Sequence, residues 1–171
     1  VKSVRMMAKI ANEYDSKVEP NFLKKATYND GNRDELNLIA KFVTKAAYLA
    51  SKSLKTGAIL VPTESGYSAR KVSRYKPECP IYAITHSMTV VRQLQLSWGV
   101  TPMIDNQIHD THDHMLNKLV YKCYDKGYLK KEDTVVVTSG HVLSKRGFTN
   151  MLEVYKVQCI LNRIEKKKCV D

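Results

Sequence analysis

Short apolar runs that alternate with helical patterns constrain this 171-residue chain more than any other feature. Apolar side chains cluster at Ala58–Pro62, Ile81–Thr85, Val100–Ile104 and Thr134–Thr138, with a last run near Leu152–Val157. Between the first four runs, residue spacing predicts helices at about Ala69–Tyr75, Thr89–Trp98 and Thr111–Gly127. Parallel strands need a crossover between them, and a helix is the usual one, so this alternation predicts a parallel or mostly parallel sheet. The loop Ser139–Asn150 between the last two strands is too short for a helical crossover, so those strands are expected to pair antiparallel. The expected fold class is therefore α/β and three-layered, an about five-stranded mostly parallel sheet with the last strand antiparallel and helices on both faces.

Upstream, Val4, Met7, Ala8, Ile10 and Ala11 recur at helical spacing and predict a helix over Val4–Tyr14. The polar stretch 15–32, with Pro20 and the turn Asn29-Asp30-Gly31, is expected as a linker. A long amphipathic helix follows from about Arg33 to Leu54, with Leu36, Ile39, Ala40, Val43, Ala46, Ala47 and Ala50 on one side and Gly57 as its stop. The organisation expected is thus a helix at 1–14, a linker at 15–32, an α/β domain at 33–157 and a basic tail at 158–171. A chain of this length can bury a real core as one domain.

Ligands of open parallel sheets bind beyond the carboxyl ends of the strands. At one such end stands Thr63-Glu64-Ser65-Gly66-Tyr67-Ser68-Ala69, where an apolar strand stops at a hydroxyl- and glycine-containing turn and a helix opens. The first backbone N–H groups of a helix lack intrahelical partners and favour anions. Thr63, Ser65 and Ser68 add hydroxyl donors, and Gly66 permits close backbone approach. The pattern is neither a Walker loop nor GxGxxG, and an ordinary helix cap would use the same residue types. A second loop at the same edge, Ser139 to Asn150, carries the cations Lys145 and Arg146, the glycines Gly140 and Gly147, and the hydroxyls of Ser139, Ser144 and Thr149. Together the two loops predict a phosphate-type anion site.

Other constellations carry less. His109-Asp110-Thr111-His112-Asp113-His114 has metal-ligand residue types, but its spacing does not put the three imidazoles on one face of one element. Thr111 followed by Asp113 reads instead as a helix start. Cys123, between aromatic neighbours in a helical pattern, is expected to be buried, and Ser65 lacks a GxSxG elbow. His86 and His141 are tied to no nucleophile, and Trp98 is expected to pack rather than to bind. The residues describe a binding site without catalytic machinery. The formal net charge of +11 is spread over helix faces and the run Lys166-Lys167-Lys168, with no aromatic-flanked basic stripe, so neither nucleic acid nor membrane is expected as a partner. Cys79, Cys123, Cys159 and Cys169 lack CxxC spacing, and no apolar signal region is present; a cytoplasmic location is expected. No apolar run is long enough to cross a membrane.

The run Ala58–Tyr75, AILVPTESGYSARKVSRY, continuing through Lys76-Pro77-Glu78-Cys79-Pro80-Ile81-Tyr82-Ala83-Ile84-Thr85, closely resembles the carboxyl-terminal domain of pyruvate kinase. Arg92-Gln93-Leu94, Trp98-Gly99-Val100, Lys126–Lys131 and Gly147-Phe148-Thr149-Asn150 follow in the family's order, and Met7-Ala8-Lys9-Ile10-Ala11 is similar to the last helix of its catalytic barrel. The resemblance implies an allosteric and subunit-assembly domain of a homotetrameric glycolytic enzyme, here without the barrel that transfers phosphoryl from phosphoenolpyruvate to ADP. No catalytic residue and no cofactor are then expected in this chain; Mg2+ and K+ belong to the barrel. By position, the resemblance implies an effector-phosphate site at Thr63, Glu64, Ser65, Gly66, Tyr67 and Ser68, with Lys145, Arg146, Gly147, Phe148 and Thr149 from the later loop. Glu64 and Tyr67 stand where relatives activated by fructose 1,6-bisphosphate carry basic residues, so AMP or a sugar monophosphate is the favoured effector class. A free-standing phosphometabolite sensor using the same site is the alternative.

Overall fold

The structure is a computed structural model and describes residues 2–15, 35–105, 111–140 and 149–168. The chain divides into two compact units, Val1–Gly31 and Asn32–Asp171. The described part of the first is a single helix, α1 (Lys2–Asp15), whose Val4, Met7, Ile10 and Tyr14 side chains are exposed. Among the described residues, the second unit runs α2 (Glu35–Leu54), β1 (Ala58–Pro62), α3 (Tyr67–Ser73), β2 (Ile81–Thr85), α4 (Met88–Leu94), β3 (Val100–Ile104), α5 (His112–Asp125), β4 (Thr134–Ser139), β5 (Met151–Lys156) and α6 (Val157–Lys168).

The five strands form one sheet in the order β3-β2-β1-β4-β5. β1 pairs parallel with β2 (Ile59↔Ile81) and with β4 (Ala58↔Val135), and β2 pairs parallel with β3 (Ile81↔Val100). β4 and β5 pair antiparallel, with Val137 opposite Glu153, as the short connection requires. Ala58, Ile59, Leu60 and Val61 are all fully buried, which is why the central strand reads as a continuous apolar run rather than an alternating one. Pro102 lies in β3, an edge strand, where the missing N–H breaks no inner ladder.

The sheet has an apolar core on each face. On one side Ile59, Val61, Ile81, Ala83 and Val136 meet Ala47 of α2, Ala69 and Val72 of α3, and Val90 and Leu94 of α4. On the other, Leu60, Tyr82, Ile84, Val135 and Val137 meet Leu116, Leu119, Val120 and Cys123 of α5 together with Val157, Ile160 and Leu161 of α6. The three-layer α/β expectation holds.

Several local expectations change. Val157 opens α6 and does not belong to the last strand; the stretch expected as a basic tail is helical as far as Lys168. Its buried Val157, Ile160 and Leu161 recur at helical spacing, an apolar stripe that charge counting conceals. Gly57 does not stop α2. That helix ends at Leu54, with Lys55 in the left-handed region (φ 48) and Thr56 N–H donating to the Ser51 carbonyl at 3.1 Å. Gly57 is needed for close approach instead, because a Cβ there would lie 2.7 Å from Asp133 Cγ. Trp98 is half exposed with Lys76 Nζ 5.9 Å from its ring centre, so the expected packing is only partial.

Candidate functional site

Strand order places a switch point between β1 and β4. From β1 the chain passes through α3 and α4 to β2 and β3, and then returns through α5 on the other face to β4. The connection leaving β1 packs on one face and the helix that leads into β4 packs on the other, the arrangement in which open sheets form a crevice at the strands' carboxyl ends. The Thr63–Ser68 turn stands at this crevice, at the end of β1.

Its geometry follows from its residues. Thr63 Oγ1 accepts a hydrogen bond from Gly66 N–H at 3.0 Å, closing the turn. Gly66 has φ 76, and a Cβ there would approach Arg70 Nη1 at 2.7 Å and Leu94 Cδ2 at 3.1 Å. Glycine therefore meets both the backbone and the packing demand. Gly66 is the N-cap of α3, and no side chain caps that helix, so the hydroxyls do not act as ordinary caps here. Ser65 is exposed at the turn, and Tyr67 has Lys71 Nζ 4.8 Å from its ring centre.

Ser68 and Thr149, 81 residues apart, hydrogen-bond through their hydroxyls, and both are buried. Two of the residues expected to form the site from separate loops are thus brought together. Of the remaining expected residues, Lys145, Arg146, Gly147 and Phe148 lie outside the described residues, as do His109, Asp110 and His141. Sequence reasoning missed Arg70, whose Nη2 donates to the Ser65 carbonyl at 3.0 Å and lays a guanidinium over the turn. Its position one helical turn after Gly66 was the available signal.

Across the crevice, Thr111 caps α5 by accepting from His114 N–H at 3.2 Å, as its sequence predicts. His112 Nε2 lies 2.6 Å from Glu153 Oε2, and Glu153 Oε1 accepts from Tyr155 Oη at 3.0 Å. Burial pushes the Tyr155 phenol up, with the Glu153 carboxylate adding to the effect. Sequence analysis had no means to pair residues on different elements 41 positions apart. Among the described residues, His112 Nδ1, Asn117 Oδ1, Thr138 Oγ1 and Ser139 Oγ are buried without hydrogen-bond partners. At the far side of α5, Lys122 Nζ donates to the Ile104 carbonyl at 2.6 Å and tethers the end of β3.

No group of three or more His, Cys, Asp or Glu suited to a metal occurs among the described residues. Cys123 is fully buried, and burial pushes its thiol up to about 12, outweighing Lys126 and Lys122, so it holds no thiolate at neutral pH. A cavity of about 510 Å³ lined by Tyr48, Ser51, Lys52, Lys55, Glu78 and Cys79 lies at the opposite, amino-terminal edge of the sheet. Its lysines adjoin the carboxyl end of α2, where cations complement the helix dipole, so they give no reason to move the site there.

These features define a doubly wound α/β domain whose switch point lies between β1 and β4. Residues 41–155 match the family described as pyruvate kinase, alpha/beta domain. The pyruvate kinase of Clostridium acetobutylicum is 35% identical over 158 residues, covering 92% of this chain and 32% of that protein. That of Sporosarcina psychrophila is 28% identical over 163 residues (95% and 27%), and that of Bacillus licheniformis 42% over 105 residues (61% and 18%). The chain belongs to the pyruvate kinase alpha/beta domain family, and it spans about a fifth to a third of the length of these relatives.

Proposed function

We propose that this chain is the effector-binding and subunit-assembly part of a pyruvate kinase, and that the crevice between β1 and β4 takes the phosphate of a small-molecule effector. The observation that carries the reading is the Ser68–Thr149 hydroxyl pair, which joins the turn after β1 to the segment before β5 at the switch point. The Thr63–Gly66 bond, the uncapped start of α3 and the Arg70 guanidinium over the turn support it. The favoured effectors are AMP or a sugar monophosphate rather than fructose 1,6-bisphosphate, because Glu64 adds negative charge to the same turn.

In the whole enzyme, phosphoryl transfer from phosphoenolpyruvate to ADP would take place in a barrel outside this chain, with Mg2+ and K+ held there. The exposed apolar side chains of α1 support an origin at the end of that barrel rather than in a free-standing sensor. The partners proposed are the barrel and further copies in a cytoplasmic homotetramer, with no part for nucleic acid or membrane. An effector acts on such an assembly only through its differential affinity for the two states.

Calorimetric titration of the chain with AMP, ribose 5-phosphate, glucose 6-phosphate and fructose 1,6-bisphosphate tests the reading. Saturable binding of a monophosphate, abolished in Ser65→Asp, is the expected result. Equal affinity in Ser65→Asp would rule out this turn as the phosphate site.

A further inference from the structure

Charge that is scattered along the sequence is gathered by the fold. Residues 36–77 carry eight lysines and arginines against a single acid, Glu64, so most of the formal +11 lies in this stretch. Its two helices, α2 and α3, pack on the same face of the sheet. On α2, Lys41, Lys45, Tyr48 and Lys52, followed by Lys55 just past its end, recur at alternating steps of four and three, which sets them in one row along the helix. That row is about 20 Å long at the rise of an α-helix. Tyr48 is only 5% exposed and stacks on Tyr75 with ring centres 5.6 Å apart, which ties the row to the end of α3. Burial pushes the Tyr75 phenol up, and the nearby Lys41 and Arg74 pull it back. At its other end the row runs into the cavity of about 510 Å³, where Tyr48, Lys52 and Lys55 meet Glu78 and Cys79.

The helix dipole accounts for cations at Lys52 and Lys55, but not for Lys41 and Lys45, which stand well before the last turn of α2. Like charges four residues apart destabilise a helix, and no acid between Leu36 and Leu54 offsets them. The row costs α2 stability that an anionic partner would return. We propose that this face docks an extended, acidic segment of a partner protein, its carboxylates on Lys41, Lys45, Lys52 and Lys55 and one bulky apolar side chain in the cavity. About six extended residues span the row. A symmetric contact between two copies through this face would set the lysines against one another. A phosphodiester backbone only accepts hydrogen bonds, whereas a peptide also brings N–H donors for the Glu78 carboxylate at the cavity. Tyr48 is buried against Tyr75 and offers no face for a base to stack on.

The test is fluorescence anisotropy of the chain with a fluorescein-labelled peptide of alternating glutamate and serine that carries one central phenylalanine. Its parallel probes replace every glutamate by glutamine, replace the phenylalanine by serine, or are an oligothymidylate of similar length. The acidic peptide is expected to bind saturably, about tenfold or more tightly than the glutamine peptide, and to weaken with salt. Lys45→Gln with Lys52→Gln should lower its affinity about tenfold, while Lys130→Gln with Lys131→Gln, the same charge change on exposed residues before β4, leaves it in place. A urea midpoint that is unchanged or raised shows the variants to be folded. Equal losses in the two double variants, or equal binding of the glutamate and glutamine peptides, overturn the docking surface. An oligothymidylate that binds as tightly as the acidic peptide overturns the assignment to a protein partner. Equal affinity for the peptide without phenylalanine overturns the part given to the cavity.

Discussion

Gly66 refuses a side chain twice, once through φ 76 and once through the Arg70, Val90 and Leu94 side chains around its missing Cβ. Arg70 can swing aside, but the backbone cannot, so Gly66→Ala is expected to cost about 1–2 kcal/mol. A lower urea midpoint with an unchanged slope would register it, and an unshifted midpoint would refute the argument. Cys123 gives a pH prediction. Unfolded, its thiol titrates near 9.0, whereas folded it holds its proton to about 12. Between those values the unfolded chain has lost a proton that the folded chain keeps, so stability falls as pH rises above about 9, by at most about 1.4 kcal/mol per unit. Cys123→Ala should flatten that decline, whatever the substitution costs at pH 7, and parallel declines would assign it to other groups. At this scale the sequence was informative about Gly66 and Cys123, whose roles follow from residue type and immediate neighbours. It was silent about the His112–Glu153 pair, because a hydrogen bond between elements leaves no trace in local spacing.

Among elements, the five strands were legible because buried apolar runs bounded by turns have few other readings. Helix ends moved by several residues, as at Trp98, where periodicity continues past Leu94 although α4 does not. α6 went unread because its stripe is narrow and lies among lysines. The helix is nonetheless built into the domain, with Ile160 fully buried in the α5-side core although the family match ends at residue 155. Ile160→Ala should therefore destabilise by about 2–5 kcal/mol, the range for emptying such a site. Ending the chain at Lys156 should cost more, by removing Val157, Ile160 and Leu161 together and uncovering the α5-side core they pack against. Urea unfolding measures both, and a truncated chain as stable as the full one would show α6 to be an ornament.

For the whole molecule, both apolar cores lie within Asn32–Asp171. A chain beginning at Asn32 should accordingly unfold in a single cooperative transition, followed by circular dichroism. A broad, non-cooperative melt would mean that the first unit is needed. The crevice itself could be named from the sequence only as an edge of the sheet. Its location between β1 and β4 depends on strand order, which follows from which faces the helices take.

That strand order also governs how fast the site can be made. The Ser68–Thr149 contact spans 81 residues, and it requires β4 to find β1 after the intervening strands and helices have been synthesised and arranged. Contacts so distant along the chain pay their loop-closure entropy before they return anything, so they form late. A refolding chain will therefore regain helical content well before Ser68 meets Thr149, and for that interval it is a folded-looking domain whose two loops have not yet joined.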